Sequence, residues 1–168
     1  MKLSEGVEWG LHCMSVLASL PPEATLPTRS LAEFHGLSET YLSKHLQALT
    51  NARLIESVPG PRGGYRLARG SEEITLLAIV EAIDGREPLF RCTEIRQRGP
   101  LAREIEAYRL PCGIHVAMAR AEKAWREALR EQTLADIVAH YIQDVDLPQR
   151  RRSEQWIVEH MRHAPQKS

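Results

Sequence analysis

The segment from Thr28 to Leu49, TRSLAEFHGLSETYLSKHLQAL, constrains the fold more than any other part of the chain. Apolar residues recur at helical spacing on both sides of Gly36, a residue suited to the turn that ends a helix. The sequence predicts a first short helix capped by Thr28 or Ser30, and a second helix capped by Ser38. Two short helices joined by a tight turn are typical of a helix-turn-helix, whose second helix can enter the major groove of DNA.

The next stretch, RLIESVPGPRGGYRLAR, predicts a two-stranded hairpin. Residues 54–58 and 65–67 have the composition of strands, and the loop between them is rich in Pro, Gly and Arg. A hairpin with a glycine-rich tip that follows a helix-turn-helix is typical of a wing. The predicted fold is therefore mainly α, a winged helix-turn-helix domain with a two-stranded β wing, and a long helix lies further along the chain.

Positive charge is concentrated in this region, although the whole chain is balanced with 22 basic and 22 acidic residues. Between Thr28 and Arg69, six Arg or Lys residues stand against three acidic residues. Such a face attracts the phosphates of DNA, and side chains of the second helix can read base edges. We therefore predict that the partner is a double-stranded DNA operator. The predicted DNA contacts are Arg29, Ser38, Thr40, Tyr41, Ser43, Lys44, Arg62, Gly63 and Tyr65.

Start and stop signals define the other helices. A first helix is predicted from about Ser4 to Leu20, where two prolines end it. Thr75 is suited to cap a helix that ends at Gly85, and Thr133 to cap one that ends near residue 141. Between them a long helix is predicted from residue 114 to 132, with small residues along one face that allow the close approach of a second helix.

These signals predict four regions. Residues 86–113 are broken by prolines and glycines into turns, with one short helical stretch around 101–108. The predicted regions are a DNA-binding domain at 1–85, a cysteine-bearing loop region at 86–113, two helices at 114–141 and a polar, mobile tail at 142–168.

Composition excludes some classes of protein. Aromatic residues are only 5% of the chain against 43% hydrophobic residues, which is typical of a helical core of aliphatic side chains. No apolar run approaches the roughly 18 residues of a membrane span, and Glu5 and Glu8 stand where a signal peptide would be apolar. We therefore expect a cytoplasmic protein with no membrane partner. In that compartment Cys13, Cys92 and Cys112 act as ligands, sensors or core residues rather than as disulfides.

The wing sequence VPGPRGGYRLAR, followed by EEITLLAIVEAIDG, resembles the winged helix-turn-helix regulators of the Rrf type, the family of IscR, NsrR and RsrR. The resemblance covers residues 1 to about 140. It implies a homodimeric bacterial transcription factor whose subunits join along the long helix at 114–132, here with alanines at 117, 121, 124 and 128. One departure affects DNA readout: a common Arg of the wing is Pro59 here, and Arg62 replaces a usual loop Gly, so the wing contact is expected to move to Arg62.

The resemblance also implies an iron-sulfur site with an altered ligand set. Cluster-bearing relatives have three closely spaced cysteines after the helix that ends at Gly85, whereas this chain has only Cys92 and Cys112, 20 positions apart. A [2Fe-2S] cluster takes four protein ligands, and His can replace Cys. Glu8 and His12 are the candidates for the other two because residues four apart point the same way on a helix. A dimer can bring the first helix of one subunit beside the cysteine loop of the other. Mixed ligands of this kind are similar to those of the RsrR type within the family.

Several alternatives remain open at this stage. Glu8 and His12 can be ordinary surface residues, because Ser15 and Ser19 continue the same polar face. His115 is a rival ligand, since it stands three residues after Cys112. Cys13 is a second rival, although its position on the helix favours a core thiol. Trp9, next to Glu8, either packs in the ordinary way or shields the cluster and moves with it.

The function predicted from these features is a redox-sensing dimeric regulator, a repressor, whose DNA binding is controlled by a [2Fe-2S] cluster. The alternative is a cluster-free regulator, zinc-stabilised or using Cys92 and Cys112 as a thiol sensor. An enzyme with Cys112 as nucleophile and His115 as base is disfavoured, because no third orienting residue or substrate-binding motif is visible. No small-molecule substrate is expected.

Overall fold

The computed structural model describes residues 3–100, 102 and 110–163. In chain order its elements are α1 (Glu5–Ala18), β1 (Ala24–Thr25), α2 (Thr28–His35), α3 (Glu39–Asn51), β2 (Ile55–Val58), β3 (Gly64–Leu67), α4 (Leu76–Asp84), α5 (Gly113–Glu131), α6 (Leu134–Asp144), α7 (Leu147–His160) and β4 (Arg162–His163), with 3₁₀ turns at Ser71–Glu73 and Ile95–Gln97. The prediction of a mainly helical winged helix is confirmed. None of the helices in the described ranges combines the length and the apolar character that crossing a bilayer requires.

The helix-turn-helix forms as predicted, with one difference in how its helices begin. Gly36 adopts the left-handed conformation at φ 66°, which only a glycine tolerates readily, and it ends α2. Helix α2 begins at Thr28 itself, so the prediction that Thr28 or Ser30 caps it is wrong: Pro27 takes the cap position. Ser38 does precede α3 in extended conformation, but its hydroxyl makes no capping hydrogen bond.

Helices α1 to α4 enclose one apolar core. Aliphatic side chains from each helix and from the strands lie at or near zero exposure, which removes their apolar surface from water and supplies most of the stability of the domain. The fully buried members include Met14, Leu26, Leu31, Leu42, Leu46, Leu49, Ile74 and Ile79. The winged domain therefore closes its core within a single chain.

The wing is an antiparallel hairpin of β2 and β3, with Ile55 opposite Leu67 and Val58 opposite Gly64. It is joined to β1 through an isolated bridge, in which the backbones of Leu26 and Tyr65 exchange hydrogen bonds of 3.0 and 2.8 Å. The hairpin is thus fixed to the segment that leads directly into α2. The wing and the helix-turn-helix consequently form one unit.

Two predicted helix caps are confirmed. The hydroxyl of Thr75 accepts the amide of Ala78 at 3.2 Å to begin α4. Thr133 and Asp136 form a reciprocal capping box at the start of α6, with Asp136 Oδ2 accepting the Thr133 amide at 2.8 Å. Leu134 follows directly and is fully buried, so the cap also fixes where α6 enters the core.

Helix α5 differs from the others because none of its residues is buried. One side faces α4, where Arg126 bonds Glu81 at 2.6 Å. Arg126 also bonds Glu122 of α5 itself at 2.9 Å. The opposite side carries Ala117, Ala121 and Ala124 and is exposed. The long helix is therefore packed along one face only.

The region at 142–168 corrects the sequence prediction. Helix α6 continues to Asp144, and residues 147–163 form α7 and β4 rather than a mobile tail. Asp146 caps α7 by accepting the Gln149 amide at 2.9 Å. Trp156 packs edge to face on Phe34 of α2, with ring centroids 5.0 Å apart. The short helix predicted around 101–108 lies outside the described residues except for one position.

Candidate DNA interface and metal centre

The exposed side of α3 carries the side chains predicted to read DNA. Leu42, Leu46 and Leu49 hold one side of α3 in the core, which turns the other side to solvent. Thr40, Tyr41, Ser43 and Lys44 are all exposed, and the Tyr41 ring is 65% accessible. Arg29 on α2 and Ser38 before α3 are exposed as well. The helix-turn-helix thus presents a continuous polar surface.

The three predicted wing residues differ in their surroundings. Arg62 is exposed at the tip of the hairpin. Gly63 is buried, and its amide donates to the Gly60 carbonyl at 2.9 Å. A Cβ at Gly63 would lie 2.8 Å from the Pro59 carbonyl carbon, so the turn requires a glycine. Tyr65 is half-buried and packs against the core. Arg62 is the member of the three that the hairpin presents to solvent.

The candidate ligands on α1 lie together on its outer side. Glu8 and His12 are both exposed, one turn apart. Neither side chain enters a salt bridge in the described ranges, so both retain free donor atoms. Cys13, the rival on the same helix, is fully buried, and burial raises its pKa to about 12. Cys13 is therefore a core thiol, as its position on the helix predicted.

Two histidines of the helix-turn-helix adjoin this face, and the sequence interpretation gave them no role there. The ring of His35 lies 5.5 Å from that of His12. Burial and the neighbouring His12 lower the pKa of His35, and its buried Nε2 has no hydrogen-bond partner in the described part of the chain. His45 packs on Gly6 of α1. His45 follows Tyr41 by four residues on α3, and this spacing could have indicated that the two side chains are neighbours.

Trp9 connects the ligand-bearing helix to the recognition helix. Its indole lies edge to face with the ring of Tyr41 at 6.3 Å and with that of His45 at 5.9 Å. Edge-to-face packing is the preferred arrangement of aromatic rings. The indole of Trp9 is therefore a direct contact between α1 and α3.

Cys92 and Cys112 are brought together, although 20 positions separate them. Cys92 lies close enough to Cys112 for its side chain to contribute to a lowered pKa of the Cys112 thiol. The amides of His115 and Ile114 at the start of α5 are the largest cause of a lowered pKa at Cys112, and the nearby charge of Arg96 adds to it. These surroundings favour the thiolate form of Cys112, which is the form that binds metal ions.

The two pairs do not form one site within a chain. No group of three or more His, Cys, Asp or Glu residues is placed to hold a metal ion within residues 3–100, 102 and 110–163. His115, the other rival ligand, lies beside Cys112 in the first turn of α5, with its ring 6.5 Å from Phe90. One chain therefore offers two donors on α1 and two cysteines at the start of α5.

Comparison with known proteins identifies the family. The Rrf2 model, described as iron-dependent transcriptional regulator, matches residues 3–140. The HTH-type regulator YwgB of Bacillus subtilis (strain 168) is 26% identical over 162 residues, which are 96% of this chain and 98% of that protein. Among solved structures, B. subtilis CymR, the global cysteine regulator, superposes with a TM-score of 0.66 at 26% identity, covering 83% of this chain and 98% of CymR. T. potens IscR gives 0.64 at 26% identity, covering 87% and 93%. The chain belongs to the Rrf2 family of transcriptional regulators, which bind DNA and are not enzymes.

Proposed function

We propose that the protein is a homodimeric repressor whose DNA binding responds to the redox state of a [2Fe-2S] cluster. The cluster is held by Glu8 and His12 of one subunit with Cys92 and Cys112 of the partner subunit. The observation that carries this proposal is the separation of donors: each chain gathers two at each of two places, and a dimer is what would complete a set of four.

The chemistry of the donors fits such a cluster. The closeness of Cys92 to Cys112 indicates that both sulfurs can reach one metal centre, and the amides that lower the pKa of Cys112 favour the thiolate that binds iron. His12 and Glu8 are exposed, and neither is held in a salt bridge in the described ranges. When bound, the cluster would supply a one-electron redox change at the subunit interface. The carboxylate of Glu8 is the hardest donor and so the most replaceable.

The exposed face of α5 supports the dimer. A groove on this face is lined by Leu110, Pro111, Val116, Ala117, Ala121 and Ala124. Small residues let a second helix approach closely, and a two-fold axis would place the same face of another copy against it. The start of α5, where Cys112 lies, would then be near the partner subunit.

Trp9 is the residue proposed to transmit the state of the site to DNA. Trp9 follows Glu8 directly and contacts Tyr41 and His45 of α3. A change of charge near Glu8 and His12 would favour one of two positions of α1, and the aromatic contacts would carry the difference to the recognition helix. Two recognition helices would then change their relative position.

On the DNA side, we assign base readout to Tyr41, Lys44 and their exposed neighbours on α3, and the wing contact to Arg62. Gly63 and Tyr65 are assigned to holding the hairpin, because they face its interior. Lys44→Ala and Arg62→Ala should each weaken operator binding and leave the visible spectrum unchanged. If the contact is to a phosphate, the salt slope falls by about one. Arg151→Ala, which removes one exposed charge from α7, is the control.

Mixed dimers test the cross-subunit ligands. We would combine subunits that carry Cys112→Ala with subunits that carry His12→Ala and measure iron, sulfide and visible absorbance after anaerobic purification. If the ligands come from two subunits, one complete set remains, and a mixed dimer should hold about half the cluster of the wild type. If they come from one subunit, both sites are damaged. Absence of an intact cluster signal in mixed dimers would contradict the proposal, as would its loss in His115→Ala but not in His12→Ala.

A second candidate function rests on the same cysteine pair. Because Cys92 and Cys112 lie close together, two-electron oxidation could join their sulfurs in a disulfide. The two thiol protons and the two electrons pass to the oxidant, which leaves as two water molecules from hydrogen peroxide or as two thiols from a disulfide. A regulator of this kind, or one stabilised by zinc, would be colourless and would contain no sulfide. The iron and sulfide analysis described above therefore separates the two functions directly.

A further inference from the structure

The region after Asp146 lies outside the segment that the family model matches, and it contacts the wing. The Rrf2 match ends at residue 140. Strand β4 pairs antiparallel with β1, placing Thr25 opposite Arg162 and Ala24 opposite His163. Leu26, the residue after β1, is bridged to Tyr65 of β3. Strand β4 therefore pairs with the segment to which the wing is joined.

Arg162 is bound to the loop that carries Arg62. Its Nη1 donates to the Pro61 carbonyl at 2.9 Å and lies 3.5 Å from the Gly63 carbonyl. These two carbonyls flank Arg62 on either side. The fully buried hydroxyl of Thr25 lies 3.4 Å from the Arg62 carbonyl and 3.5 Å from the Arg162 carbonyl. The backbone around Arg62 is therefore held on both sides from β1 and β4.

The loop has few restraints of its own. The ladder between β2 and β3 ends at Val58 and Gly64, and inside the loop the Gly63 amide bonds the Gly60 carbonyl. A loop of glycines and prolines that is free in solution loses conformational entropy when DNA fixes it, and this loss weakens binding. Restraints that are already present in the free protein remove part of that cost.

Strand β4 is itself anchored to the helix-turn-helix. Ile157 of α7 is buried, and Trp156 packs on Phe34 of α2. Trp156 also stacks on His160, with ring centroids 3.8 Å apart, near the end of α7. Helix α7 therefore connects the helix-turn-helix to the wing loop through a second route, independent of β1.

We propose that Arg162 is a positioning residue for DNA binding: it holds the wing loop so that Arg62 meets the DNA in a preformed geometry. Both contacts come from Nη1, which carries two N–H donors on a planar guanidinium, whereas the compact ammonium group of a lysine can serve only part of this role. This inference rests on the proposed contact between Arg62 and DNA. It assigns to the segment Leu147–His163 the function of a brace for the wing.

The test compares Arg162→Met with Arg162→Lys, and uses Arg151→Met as the matched control on α7. Hydrogen exchange of the free protein over residues 57–65 reports the loop without DNA. Arg162→Met should speed exchange there and weaken DNA binding about tenfold, Arg162→Lys should restore part of both, and Arg151→Met should change neither. In an Arg62→Ala background, Arg162→Met should have little further effect on binding, because both act through the same contact.

Three results would overturn the inference. If exchange at the loop is unchanged in Arg162→Met, the brace does not exist. If the losses from Arg162→Met and Arg62→Ala add, and Arg162→Met lowers the salt slope by about one, Arg162 contacts phosphate directly instead. If Arg62→Ala binds DNA like the wild type, the proposed wing contact fails, and with it the purpose assigned to Arg162, whatever the exchange rates are.

Discussion

The winged domain buries its large apolar residues, whereas helix α5 leaves several of its own exposed. In the winged domain, leucines at helical spacing such as Leu42 and Leu46 are fully buried within one chain. In α5, Val116 lines an exposed groove together with Ala117 and Ala121, and its side chain remains 52% exposed. A contiguous exposed apolar surface on a folded protein usually marks an interaction site. The comparison favours a partner for the exposed face of α5, whereas the core of the winged domain is closed within one chain.

The largest expected effect comes from a charge in the exposed groove of α5. Ala124→Glu would place two like charges in the seam of a symmetric dimer, at a cost of up to about 3–5 kcal/mol, because Arg120 in the same groove offsets only part of the charge. The dissociation constant should rise by roughly two to four orders of magnitude. Analytical ultracentrifugation measures the dissociation constant of the dimer. Ala119→Glu, which adds the same charge outside the groove residues, is the control. Equal dissociation constants for the two variants would contradict an interface at the groove.

The core of the winged domain should respond in any oligomeric state. Leu46→Ala removes a fully buried side chain and should lower the free energy of unfolding by about 2–5 kcal/mol. Met118→Ala on α5, where the side chain is 43% exposed, should change it by less than about 0.5 kcal/mol when both are measured in the Ala124→Glu background. Denaturant unfolding gives both values. A large loss from Met118→Ala in this monomeric background would mean that α5 is packed within one chain after all.

A third prediction concerns the contact between α1 and α3. In Gly6→Ala the new Cβ would lie 2.6 and 2.7 Å from the ring nitrogens of His45, so the ring or the helix must move, at a cost of about 1–3 kcal/mol. Because His45 packs against Trp9, we expect DNA binding to weaken and Trp9 fluorescence to change. Gly10→Ala is the control, since its Cβ meets chiefly the end of the Ile83 side chain, which can rotate away. Equal DNA affinity of both variants would refute coupling at this contact.

The smallest effect is expected at the cap of α6. Hydrogen bonds from the amide and hydroxyl of Thr133 lower the pKa of Asp136 below its ordinary range. The ionised carboxylate therefore stabilises the folded state above the unfolded pKa of about 3.9, and this contribution is lost as the pH falls through the lower folded pKa. Asp136→Ala should lower the melting temperature slightly at pH 7, and the difference from the wild type should vanish in acid. A difference in melting temperature that grows toward low pH would contradict this prediction.

Features set by neighbouring residues could be predicted from the sequence. Gly36, Thr75 and Thr133 each mark a helix end through their own backbone or side chain, and the wing follows from its strand and turn composition. The cap of α2 was predicted wrongly because Thr28 and Ser30 are equally good cap formers in isolation, while Pro27 is preset for the position. Local chemistry determines these features, so short patterns suffice.

Features that depend on distant contacts could not be predicted in this way. Helix α7 is polar along most of its length, and its packing residues, Trp156 and Ile157, lie near its end, so its sequence resembled a solvated tail. The approach of Cys92 to Cys112 depends on how the loop region folds back to α5. The assignment of Glu8 and His12 as ligands stays a prediction, because it depends on a second subunit. Sequence spacing can nominate such residues but cannot bring them together.

The contact between Arg162 and Pro61 also bears on the order in which the protein matures during synthesis. The two residues are 101 positions apart. The helix-turn-helix and hairpin emerge from the ribosome first, and most of their core is in place once Leu134 of α6 has followed, since domains generally fold as units during translation. The wing loop, however, stays without its brace until residue 162 has emerged. A nascent chain still tethered to the ribosome would therefore hold a folded but weakly binding DNA-recognition unit, and full affinity for DNA would be reached only after α7 has been made.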